Sequence, residues 1–187
     1  MNTEDIANLV LMYAVVPVWI LAGLLDWACH RATGIEGTSG LRENAFHWML
    51  MAEGGAAMLA VALLQPSAAV LLLVFAAFLA HELTTYAELR YTAPRREVRP
   101  FEQMVHSFME LLPLVLLALL AVIDWEQVLA VFDRATPDFS LQGKHRPWPA
   151  SYLAGAALAV LVFNVLPMAE ETLRCFRFRT LARPGPT

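Results

Sequence analysis

The sequence predicts an all-α, polytopic membrane helix bundle of five transmembrane helices, four of them surrounding a polar layer near the cytoplasmic side. Three observations predict it. First, the chain of 187 residues is 58% hydrophobic and only 16% charged, with a mean hydropathy of +0.54, whereas soluble domains carry about 25% charged residues. Second, it contains five apolar runs of the length a bilayer requires, about 20 residues each. Third, its intramembrane ionisable residues recur at helical spacing at the same end of four of those runs.

The spans follow in order, within one membrane domain covering residues 1–187. Leu9 to Leu25 is apolar and extends through Asp26 and Trp27, giving a span over about 6–30. Ala45 to Leu64, interrupted by His47 and Glu53, gives a second over about 42–64, stopped by Gln65-Pro66. Ala68 to Ala80 opens a third, about 67–91, which Pro94 helps to end. Pro100, a favoured first helical residue, starts a fourth over about 100–124, and a fifth covers about 150–173. The second and third are joined by little more than Gln65-Pro66-Ser67 and form an antiparallel hairpin. The loop 125–149 opens with residues spaced for a short surface helix, with an ordinary connecting loop as the alternative. Pro113 and Pro167 are expected to kink their helices and free backbone carbonyls near the polar layer.

Charge sets the orientation. Arg31, Arg42, Arg90, Arg95, Arg96, Arg99, Arg174, Arg177, Arg179 and Arg183 fall on one side, and only Arg134, Lys144 and Arg146 on the other, beside Asp124, Glu126, Asp133 and Asp138. The positive-inside rule then places the N-terminus outside and the C-terminus in the cytoplasm. The Arg-rich, Ala-rich composition suggests a bacterial inner membrane. Arg95, Arg96 and Arg99 form a juxtamembrane basic patch suited to anionic headgroups. A net charge of -4 gives no case for nucleic acid, the two cysteines suggest no disulfide framework, and the acidic first residues do not resemble a signal peptide.

The chemistry lies in the polar layer. Asp26 and His30 sit at the end of span one, Glu43 and His47 at the start of span two, and both pairs are i,i+4. Span three carries His81 and Glu88, seven residues apart on one face, while span four carries the ladder Glu102, His106, Glu110. Each helix thus offers one imidazole and at least one carboxylate in a single stripe. Glu82 is rotated about 100° from His81, and Glu53 about 120° from His47, so both face elsewhere. Glu170 and Glu171 end span five at the same level and are placed to close the site from the side. A charge within a span costs at least about 2.5–3.5 kcal/mol unless something pairs with it. Interfacial solvation or pairing with Arg31, Arg42 and Arg90 accounts for single acids near span ends, but not for His47, His81, His106 and Glu110 together.

A metal site satisfies imidazole lone pairs and neutralises carboxylates at once. The candidate ligands are Asp26, His30, Glu43, His47, His81, Glu88, Glu102, His106 and Glu110, more than one ion needs. Two metal ions are therefore expected, with iron favoured and zinc or manganese compatible with nitrogen and oxygen donors. The helices use Glu-x-x-x-His rather than the Glu-x-x-His of soluble di-iron bundles. The leading expectation is a di-iron oxidoreductase acting on a lipid or other apolar substrate, supplied by an electron donor. Alternatives are a zinc-dependent membrane hydrolase, a haem-binding electron-transfer subunit, and a non-catalytic metal-binding or transport protein.

Overall fold

The computed structural model describes residues 3–132 and 136–181, and most of these lie in helices. Helix α1 spans Thr3–Thr33, α2 Gly40–Leu63, α3 Ala68–Thr92, α4 Pro100–Ile123 and α6 Ala150–Leu181, and all five are long and apolar enough to cross a membrane. The short α5, Trp125–Phe132, opens the connection between α4 and α6, as its apolar spacing implied. Asp133, Arg134 and Arg183 lie outside the described residues.

Local sequence explains most boundaries. Gly34, at φ +64°, turns the chain left-handed and donates its N–H to the His30 carbonyl, closing α1. The Ser67 hydroxyl accepts from the Val70 N–H at 3.3 Å and caps α3, and Pro100 occupies the first turn of α4. Pro113 sits within α4 without ending it. The breaks come elsewhere: π turns at Leu11–Val15 and Leu161–Val165 each end two residues before a proline, Pro17 or Pro167. A proline lacks the N–H and crowds the carbonyl four residues back, and a π turn accommodates both.

The bundle has two unlike halves. At one end Leu11, Val15, Val61, Val70, Val74, Leu116 and Leu120 form an apolar core together with Trp148. The long connection seals that end by pairing with the α2–α3 turn: Gln65 N–H donates to the Gln142 carbonyl, and Lys144 N–H to the Leu63 carbonyl, both at 2.8 Å. The Lys144 ammonium then donates to Asn8 and to the Val61 carbonyl, and its burial lowers its pKa. At the other end the interior turns polar.

Two glycines set helix separation. A Cβ on Gly54 would run into the Trp19 ring, and one on Gly23 into the Asn164 amide. The bare backbone at Gly23 lets Asn164 donate to the Ile20 carbonyl at 3.1 Å, tying α6 to α1. Gly55 behaves otherwise: a Cβ there meets nothing.

Candidate metal centre

The i,i+4 stripes of four helices do converge, and the fifth joins them. Asp26, His30, Glu43, His47, His81, Glu88 and Glu102 are all buried, and Glu171 of α6 is buried among them. Asp26, His30, Glu102 and His106 each offer a ligand atom within 4.8 Å of the others, as do His30, Glu43 and His47. A buried group able to hold a metal ion is therefore present.

Glu171 organises the histidines. One of its oxygens lies 3.2 Å from His30 Nδ1 and the other 3.5 Å from His47 Nδ1, while the Asn44 amide donates to it at 2.9 Å. The two rings stack at 4.4 Å and 11°. In the tautomer that donates each Nδ1–H to Glu171, both imidazoles would present an Nε2 lone pair on the opposite edge. His30 Nε2 lies 3.4 Å from Asp26 and Glu102 and 3.8 Å from Glu43, and His47 Nε2 lies 3.6 Å from Glu88. Neither Nε2 has a hydrogen-bond partner, nor do Glu88 Oε1 and Glu102 Oε2. In that tautomer buried lone pairs face buried lone pairs, an arrangement that costs free energy unless a cation lies between them. Holding a histidine through its second nitrogen is how proteins orient metal-binding imidazoles.

His106 Nε2 contacts Asp26 at 2.8 Å, which places α4 and α1 on one side of the layer. His81 stands apart from both groups. The carboxylate beside its Nδ1 is Glu53, at 3.9 Å, rather than Glu88, and Glu53 accepts from Thr84 at 2.8 Å. Glu110 is half-buried and lines a small cavity with His47, His81, Glu88 and His106. Glu82 is exposed, as its angle on the helix implied. Glu170 also lies outside the layer, accepting from Trp27 and Arg31.

The cation within the layer was not legible. Arg96, expected in a surface patch with Arg95 and Arg99, is instead folded inward, its side chain 4% exposed between Glu43 and Glu102. Burial opposes its charge, but the hydrogen bonds it donates to these two carboxylates raise its pKa. Arg42 and Arg95 stack on Tyr91 and Arg90 on Tyr86, and Arg31 takes Glu170. Three arginines within five residues of one loop carry no signal of which one turns inward. Glu171 left a partial signal, since adjacent helical residues point about 100° apart and only one of Glu170 and Glu171 can face a centre.

An apolar cavity of about 440 Å³ adjoins the layer, within the usual size of small-molecule sites, roughly 300–1,000 Å³. It runs from Val16, Trp148 and Tyr152 to His30, His47 and Glu171. No protein-family model, no curated protein and no solved structure matches the chain.

Proposed function

We propose that this is a membrane metalloenzyme whose polar layer holds two metal ions, iron by preference, and which oxidises a lipid or other apolar substrate. One observation carries the reading: the Nε2 atoms of His30 and His47 face buried carboxylates with no hydrogen-bond partner. The number of donors supports two ions: Asp26, Glu43, Glu88, Glu102 and Glu171 are buried beside His30 and His47, more donors than one ion can hold, while Arg96 reaches Glu43 and Glu102 and Arg174 reaches Glu171.

The ligand roles divide accordingly. Asp26, His30, Glu102 and His106 would hold one ion. His47 and Glu88 would hold the other, with Glu43 within reach of His30 and His47 and with His81 and Glu110 lining the small cavity beside it. Glu171 positions two imidazoles, and Arg96 holds Glu43 and Glu102 at the rim. Donors without thiolate suit iron, manganese or zinc, and iron would supply redox chemistry with oxygen. The apolar cavity beside the layer would receive the substrate and keep water out. The face-to-face stacking of His30 and His47 at 4.4 Å leaves no room for a haem between those two rings. We further propose a bacterial inner-membrane location, with the polar layer on the arginine-rich, cytoplasmic side.

Elemental analysis of detergent-purified protein, with an absorption spectrum of the same sample, tests this reading. The expected result is about two irons per chain, as in dinuclear carboxylate bundles, with near-ultraviolet absorption. Zinc in place of iron would transfer the proposal to metal-assisted hydrolysis. Protein that binds neither, after growth in ample iron and zinc, would overturn the metal centre.

A further inference from the structure

The apolar cavity has an open side, and its position selects what can enter. Its lining includes Gly55, Met58 and Leu59 of α2 and Ala157, Val160 and Leu161 of α6. Leu59 and Leu161 are 59% and 46% exposed, although both lie on helices apolar enough to span the membrane. The opening between them therefore faces the bilayer, and only molecules dissolved in the bilayer reach it. Toward the apolar end the cavity is floored by Trp148, which is buried and packs edge-on against Tyr152.

The lining is also selective by polarity. Asp26, Glu171 and three histidines stand at its inner end, most of the remaining wall is apolar, and among the described residues no lysine or arginine lines it. A headgroup drawn through the mouth would lose its water against apolar side chains. A hydrocarbon chain meets no such barrier. Val16 and Asp26, at the two ends of the cavity, are ten residues apart on α1. At 1.5 Å per residue that is about 15 Å, half the hydrocarbon thickness of a bilayer. The absent Cβ at Gly55 keeps this passage clear, since nothing lies within 4 Å of that position.

We infer that the substrate is a bilayer lipid whose acyl chain alone enters, sideways between α2 and α6, while its headgroup stays at the membrane surface. The site then acts on a carbon within the chain rather than on the headgroup. This rests on the function proposed above for the polar layer, but its test does not require metal.

The probe is phosphatidylcholine carrying a photoreactive diazirine on one acyl chain, incorporated into nanodiscs with the full chain and mapped by peptide mass spectrometry. The expected labels are on Met51, Met58 and Ala156 inside the cavity, with and without a chelator. Gly55→Phe and Ala157→Phe, which place a ring in the passage and at its mouth, should each reduce that labelling several-fold and leave labelling of the outward-facing Leu83 and Phe108 unchanged. The intact melting transition of either variant shows that it has folded, and one folded variant suffices. Labelling of Leu83 and Phe108 alone, or cavity labelling that both substitutions leave intact, overturns the inference. Labelling of the cavity by a diazirine placed in the headgroup overturns it too. Metal content is measured on the same samples, so failure of the metal centre and failure of the chain-binding cavity are read separately.

Discussion

At the scale of single residues, position in the polar layer matters more than residue type. Glu170 and Glu171 are adjacent, yet one bonds Trp27 and Arg31 at the surface and the other spans two buried imidazoles. Glu171→Leu should weaken metal binding by about 10–100-fold, the usual effect of removing the group that orients a metal-bound histidine. Chelator competition measures this, and an unchanged affinity would remove Glu171 from the site. His47→Ala and His106→Ala, on different helices, should each lower the metal content of purified protein; content equal to that of the unaltered protein in both would sink the ligand assignment. Arg96 offers a sharper test because it and a metal ion neutralise the same acids. Arg96→Ala leaves Glu43 and Glu102 buried without their cation, a change expected to cost about 3–5 kcal/mol in metal-free protein. Added metal should restore part of that loss. If thermal unfolding shows the same deficit with and without metal, Arg96 and the metal do not share those carboxylates.

At the scale of elements, α1 and α6 are built alike, each with a π turn ending two residues before a proline. Together they contribute much of the cavity wall, and their separation is set by Gly23, over which Asn164 reaches the Ile20 carbonyl. Gly23→Ala should destabilise the protein by about 1–3 kcal/mol, the range for an overpacked contact, because its Cβ would displace the Asn164 amide. Gly54→Ala should act similarly through Trp19, whereas Gly55→Ala, with open space around it, should leave the melting temperature unchanged or raise it. Thermal unfolding in one detergent compares all three, and equal effects at Gly54 and Gly55 would contradict this packing. The hairpin of α2 and α3 is held differently. The Ser67 cap, the Gln65 and Lys144 backbone bonds and the buried Trp148 fasten its turn to the long connection, so that connection is part of the bundle's floor.

At the scale of the whole molecule, the buried histidines and carboxylates gather at one end of the bundle and the apolar core at the other. The arginine distribution leads to a definite expectation. A fluorescent protein fused after Thr187 in a bacterial host should be fluorescent, because the C-terminus is expected in the cytoplasm; a dark fusion with an active periplasmic reporter at the same place would reverse the orientation.

The sequence by itself determined the helices, because a bilayer demands long apolar runs and satisfied backbone groups, and these can be counted along a single strand of text. It also determined which faces of α1 to α4 carry the imidazoles and carboxylates, since side chains four apart share a face wherever the helix lies. Asp26 and His30, Glu43 and His47, and Glu102 and His106 were legible for that reason. Only the tertiary structure decided how those faces meet. It paired His47 with Glu88 and His81 with Glu53, set Glu110 at the rim, turned Arg96 rather than Arg95 or Arg99 inward, and brought Glu171 from more than a hundred residues away to two histidines. Helical periodicity fixes angles within one helix, whereas these contacts depend on the rotation and spacing between helices. Single glycines, π turns and one inward-folding loop set those, and none has a repeating pattern along the chain.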